Sequence, residues 1–120
     1  MTSLAEVHAH EDDGVVVARI AGEMDISNAS YVEDRLTEAV PNSALGMVLD
    51  LSALSFLDSA GVELLFRLGE RLEARRQRLS VALPSDAPIH RIFEIVRFSE
   101  RLPLSASVEE ARALVRAGAA

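Results

Sequence analysis

Lysine, cysteine and tryptophan are missing from this chain. Without lysine there is no amine for Schiff-base chemistry, no P-loop lysine and no receiver-domain lysine. Without cysteine there is no thiol nucleophile, no disulfide frame and no cysteine-ligated zinc. Positive charge is also scarce. Twelve basic residues, all Arg, stand against 19 Asp and Glu, a formal net charge of −7. That balance argues against duplex nucleic acid as a partner, because phosphate neutralisation drives most such binding. The longest apolar runs are about five residues, such as 45–49, against the roughly 20 that a bilayer-spanning helix needs. The N-terminus, Met1-Thr2-Ser3-Leu4-Ala5-Glu6, has no basic n-region and no apolar h-region, so it does not read as a signal peptide. The expectation is a cytoplasmic protein without direct membrane insertion.

What is present suits one domain over residues 1–120. The chain has 120 residues, of which 49% are apolar, enough to build a core at this length. Only residues 117–120, Ala-Gly-Ala-Ala, are low in complexity, and they are expected to form a frayed, disordered tail.

Ala5, Val7 and Ala9 alternate with Glu6, His8 and His10, the period of a strand with one wet face at or near an edge. Asp12-Asp13-Gly14 signals a tight turn. Val15 to Ala21 reads as a second, more buried strand, antiparallel to the first. From Ala29 the period changes: Ala29, Val32, Leu36 and Val40 share one face of a helix, with Ser27 or Asn28 as cap. Pro41-Asn42-Ser43 ends it. Residues 46–51 form a buried strand, and Ser52 to Leu57 a loop. A second helix runs from near Ser59 to about Arg76, with Val62, Leu65, Leu68 and Leu72 inward and Glu63 able to pair with Arg67. Arg75-Arg76-Gln77-Arg78 closes it, complementing its negative end. Leu79, Val81 and Leu83 mark a strand stopped by Pro84. Pro88 opens a third helix with Ile89, Ile92, Phe93 and Val96 buried. Leu102-Pro103-Leu104 is a short edge strand. Ser107-Val108-Glu109-Glu110 fits a capping box, followed by a helix lined by Val108, Ala111 and Leu114.

The order β-β-α-β-α-β-α-β-α predicts an α/β fold. Its mixed sheet has four to five strands, an N-terminal hairpin, right-handed βαβ crossovers and helices mainly on one face. Open α/β sheets place function at the carboxyl ends of their strands. Two strand-to-helix segments lie there, Gly22-Glu23-Met24-Asp25-Ile26-Ser27-Asn28 and residues 50–61, and 22–28 with 55–61 are expected to form one continuous surface. Ser59 sits at the start of the second helix, where unpaired amides and the positive dipole end favour an anion. Asp58 or Ser59 also serves as that helix's N-cap. Phe56 and Leu57 are core plugs or, for one of them, a partner contact. Asp50 reads as a loop brace accepting backbone N–H bonds. A receiver-domain role for Asp50 fails for want of lysine. A Ser-His-Asp hydrolase is disfavoured, because Ser59 is not in a G-x-S-x-G elbow and His8, His10 and His90 are unremarkable surface residues. His8 and His10 face the same way but lack a third ligand, so no metal site and no cofactor are expected.

Asp50-Leu51-Ser52 with Phe56-Leu57-Asp58-Ser59-Ala60-Gly61 resembles the signature of STAS domains, as in bacterial anti-sigma factor antagonists. Gly22-Glu23-Met24-Asp25 is similar to that family's first-loop motif, with Met24 where Leu is usual. Residues 102–111 resemble its C-terminal pattern. The resemblance implies a STAS fold and a non-enzymatic switch in transcription. Unphosphorylated, such a protein binds an anti-sigma factor serine kinase and frees the sigma factor. ATP-dependent phosphorylation of the serine matching Ser59 dissolves the complex, and a metal-dependent phosphoserine phosphatase restores it. The resemblance implies acidic partner contacts at Asp25 and Asp58. Gly61 matches a small residue that lets the partner's backbone approach. Ser27, Asn28 and Ala60 complete the expected partner-binding surface. The alternative is a STAS interaction subunit of another assembly, such as a lipid ABC transporter.

Overall fold

The computed structural model describes residues 4–118. Strand β1 (Ala5–Asp12) and strand β2 (Val15–Met24) form an antiparallel hairpin, Asp12 opposite Val15 and Ala5 opposite Gly22. Asp13 and Gly14 make its two-residue turn with φ of 53° and 84°, the doubly positive geometry that matches strand twist. Helix α1 (Ala29–Ala39) buries Ala29, Val32 and Leu36 and leads to strand β3 (Gly46–Asp50), parallel to β2.

The segment expected as a loop after β3 holds another strand, β4 (Leu54–Leu57). β3 pairs with β2 only as far as Arg19, while β2 continues to Met24, three residues beyond its expected end. The rest of that β2 edge would leave backbone groups unpaired. A turn closed by Leu54 N donating to Leu51 O (3.1 Å) returns the chain to it. β4 then pairs in parallel with Gly22–Met24. A register shift between Gly22 and Glu23 accompanies this pairing. Gly22 has φ 104°, and a Cβ there would lie 2.4 Å from Leu4 O, so only glycine fits.

Helix α2 (Ser59–Ala74) and strand β5 (Arg78–Ala82) follow, β5 parallel to β3. Then come the six-residue helix α3 (His90–Ile95), strand β6 (Leu104–Ser105) beside β5, and helix α4 (Val108–Ala117). The sheet has six strands in the order β1-β2-β3-β5-β6, with β4 beside the end of β2. The strand beyond the expected five is β4.

The main core joins Val16, Ala18 and Ile20 of β2 to Leu36 of α1, Leu65 and Leu68 of α2 and Phe93 of α3. Alternate residues Val15, Val17, Val48 and Ala82 face the other way and are covered by Ala111 and Val115 of α4. Val115, four residues after Ala111, points at the sheet, whereas Leu114, expected inside, is 44% exposed. Val96 is likewise exposed. α3 stops at Ile95, Arg97 turns to φ 53°, and Phe98 takes the buried place instead.

Several charges pair otherwise than by sequence proximity. Arg67 bonds Glu33 of α1 at 2.9 Å rather than Glu63, and Arg71 reaches the same carboxylate at 3.2 Å. The two guanidiniums, Arg67 foremost, hold the Glu33 carboxyl below its ordinary range despite an opposing desolvation effect. α2 ends at Ala74, so the Arg75–Arg78 segment lies mostly beyond it. Arg75 Nη2 donates to Val40 O (2.9 Å) and Asn42 Oδ1 (2.7 Å), serving the loop after α1 rather than its own helix. Ala117 and Gly118, expected in a frayed tail, close α4 through Gly118 N donating to Leu114 O. Ala119 and Ala120 lie outside the described residues. No helix among the described residues is long and apolar enough to cross a membrane.

Candidate functional site

The site is built where β2 and β4 end side by side. Parallel pairing carries Met24 and Leu57 to the same edge, so the next residues, Asp25 and Asp58, begin neighbouring loops. Asp58 N donates to Met24 O (3.3 Å). Its two carboxylate oxygens divide their work. Oδ1 accepts from Gly61 N (3.0 Å) as the N-cap of α2, and Oδ2 accepts from Ile26 N (3.2 Å) in the other loop. One side chain therefore caps the helix and joins the two segments into the expected continuous surface.

The capping ambiguity is resolved by this geometry. Asp58 is extended (φ −105°, ψ −174°) and takes the cap, leaving Ser59 as the first helical residue. Ser59 is exposed, and no hydrogen bond to a described residue occupies its hydroxyl. The amides of Ser59 and Ala60 have no carbonyl one turn earlier in the helix to bond. The hydroxyl therefore stands exposed at a helix end that tolerates an anion.

The Asp25 loop is tied within itself. Asp25 Oδ1 accepts from Ser27 N (2.9 Å) and Ser27 Oγ (2.5 Å), a local turn that Asp favours. Asn28 stands at the cap position of α1, but its side chain makes no helix-capping bond. Its Oδ1 accepts from Asp25 N (3.0 Å) and its Nδ2 donates to Glu23 O (2.8 Å). Ser27 and Asn28 therefore shape the loop that presents Asp25.

Ala60 is half-buried beside Ser59, whereas Gly61 is buried. A Cβ at Gly61 would lie 2.3 Å from Leu57 Cδ1 and 3.3 Å from Met24 O. The structural need for glycine there is the close passage of α2 over β4. Of the two apolar residues preceding Asp58, Leu57 enters the core and Phe56 is 47% exposed. Sequence reading passed over Ile26, which is 83% exposed at the centre of the surface. Its only signal was an apolar residue in a polar loop. Asp50 acts as the expected brace, accepting from Ser52 N (3.0 Å). His90 turns to Glu94 of its own helix (3.1 Å), while His8, on the opposite side of the hairpin strand from Val7, contacts Glu6 (3.2 Å).

A family model described as the STAS domain matches residues 6–111. The chain is 36% identical over 62 residues to the anti-sigma-F factor antagonist RsfB of Mycobacterium tuberculosis, covering 52% of this chain. That match spans about half, 51%, of RsfB. An anti-sigma factor antagonist from Mycobacterium paratuberculosis superimposes with a TM-score of 0.82 at 27% identity, covering 94% of this chain and 95% of that one. The anti-sigma factor antagonist SpoIIAA in its unphosphorylated form gives a TM-score of 0.71 at 24% identity, over 93% and 97% of the two chains. The SpoIIAA likeness carries the fold alone.

Proposed function

The chain belongs to the STAS domain family, and on that premise we propose that it is an anti-sigma factor antagonist switched by phosphorylation of Ser59. Unphosphorylated, it binds an anti-sigma factor with serine kinase activity, so that the sigma factor is released. Phosphorylation by that kinase ends the complex, and a phosphoserine phosphatase resets it. The protein's role is then binding rather than catalysis. The similarity to RsfB supports the class of partner.

The observation that carries this reading is the exposed, unengaged hydroxyl of Ser59 directly after a capping Asp58 that also holds the Asp25 loop. A phosphate adds about −1.5 to −2 charges at pH 7. Here it would join Asp25 and Asp58 on one surface. The helix end can hold the anion without refolding, while a partner face suited to neutral serine meets added charge and desolvation cost.

The test is incubation with the anti-sigma factor kinase of the same genome and ATP. A mass gain of one phosphate that disappears in Ser59→Ala supports the reading. Phosphorylation elsewhere, or none with any such kinase, defeats it and favours a subunit of another assembly.

A further inference from the structure

β1 is a free edge of the sheet, paired on one side with β2 and on the other with nothing. The two-residue turn makes Asp12 and Val15 a hydrogen-bonded pair, so the backbone groups of Asp12, His10, His8 and Glu6 point to β2. Those of Ala5, Val7, Ala9 and Glu11 point outward, and no hydrogen bond between described residues occupies them. β1 keeps its register over all eight residues and holds no proline or lysine. It therefore lacks a bulge and the two residue types that most often blunt such an edge. The outward groups belong mostly to small side chains, which leave them open to a second strand.

The helix above this edge is also incomplete on the same side. α1 packs over β1 and β2, and its Glu33 faces the arginines of α2. Tyr31 and Arg35 stand about 160–200° around the helix from Glu33, on the flank turned away from α2. Tyr31 is 57% exposed. Arg35 forms no ion pair with a described residue.

We propose that the occupant of this edge is a second copy of the chain, whose β1 adds antiparallel to the first about a two-fold axis and makes one continuous sheet. Two-fold pairing requires a strand to complement itself, and one register of β1 does so best. With His8 on the axis, Val7 pairs with the partner's Ala9 and Ala5 with the partner's Glu11, so every outward backbone group finds a partner. On the face beside α4, Glu6 then stands opposite the partner's His10, an acceptor against an imidazole that can donate. A shift of two residues one way sets Glu6 against the partner's Asp12, a like-charge pair. The opposite shift leaves Glu11 unpaired. The same axis puts both copies of α1 on one face of the joined sheet, Tyr31 flank toward Tyr31 flank. The pairing uses no residue of the Ser59 surface.

The experiment is sedimentation equilibrium of the purified full chain over a concentration series, on variants whose melting curves match wild type. Wild type is expected to pass from monomer to dimer. Ala9→Pro removes an outward N–H and no bond to β2, a change that an edge strand tolerates, and is expected to abolish the dimer. His10→Glu sets like charges opposite one another at two symmetric places and is expected to weaken the dimer about tenfold. The swap Glu6→Arg with His10→Glu is expected to restore it. Tyr31→Ser is expected to weaken it about fivefold. Leu114→Ser, on α4, is the control and leaves the dimer unchanged. Should Ala9→Pro not fold, His10→Glu and the swap carry the same test. Wild type that stays monomeric throughout the series overturns the proposal, as does dimerisation of Ala9→Pro or His10→Glu as tight as that of wild type.

Discussion

The two ends of α2 are built for opposite purposes. Just past its C-terminal end, two long polar side chains are tied into structure. Arg75 bonds the Val40 carbonyl and Asn42, and the buried Gln77 donates to Pro41 O (2.8 Å) and Ala44 O (3.0 Å). These bonds hold the loop between α1 and β3 against the helix. At the N-terminal end one acidic side chain does the bracing and the neighbouring hydroxyl is left outside. Helix ends always present unpaired backbone groups. Side chains that bond the neighbouring loop give rigidity at one end, and leaving the positive end accessible gives a place for a charge to arrive at the other. The comparison teaches that the same helix can be fixed at one end and receptive at the other.

Substitutions at each end should separate binding from stability. The largest expected effect is at the receptive end. Ser59→Asp should weaken affinity for the anti-sigma factor about 100-fold, as an added like charge does at an interface. Its melting free energy should stay within about 0.5 kcal/mol of wild type. Titration calorimetry and denaturant melts check both. At the fixed end the pattern should invert. Gln77→Ala strands two carbonyls inside the protein and should cost about 2 kcal/mol of stability, with affinity unchanged once the protein is folded. Equal effects of both variants on both readouts would erase the distinction.

Asp58→Ala is intermediate because Asp58 serves both purposes. Loss of the cap should cost about 1 kcal/mol in urea melts. Release of Ile26 N should loosen the Asp25 loop and slow phosphorylation of Ser59, although the acceptor hydroxyl is untouched. The smallest effect concerns Glu33, which joins α1 to the middle of α2. Its carboxyl is held below the ordinary value near 4.5 chiefly by the Arg67 hydrogen bond. A depressed carboxylate stabilises the fold above its unfolded-state value, and that stabilisation fades as pH falls through the native one. Glu33→Gln should therefore reduce stability at pH 7 by under about 1 kcal/mol, given its solvent-screened arginine partners. The difference from wild type should shrink below pH 4.5, as followed by melts across pH.

Much of the site was legible in the sequence because its determinants are local. The Asp58-Ser59 pair just before the helix-period stripe of Val62, Leu65, Leu68 and Leu72 announces a cap with a serine beside it. The Asp13-Gly14 turn and the inward stripes of α1 and α2 follow from spacing as well. The parts that escaped are non-local. β4 carries the burial pattern of two buried ends and two exposed middle residues, which has no strand period. Its existence depends on β2 outrunning β3. The second oxygen of Asp58 finds Ile26 N, 32 positions away, and no spacing rule reaches so far. Leu114 and Val115 are both apolar, so the sequence pattern alone did not select the one that meets the sheet.

By itself, then, the sequence determined the order of every element but β4, where α1, α2 and α4 begin, and which hydroxyl stands at the start of α2. These depend on side-chain periodicity and on groups within a turn of one another. Only the tertiary structure decided that β4 takes the free end of β2 and that α4 covers the opposite face. Only it tied the two loops through Ile26 N donating to Asp58 and brought Phe56 and Ile95 to the lining of one groove. Those outcomes depend on which backbone edges and apolar faces remain unsatisfied after the local elements form, and that is a property of their assembly.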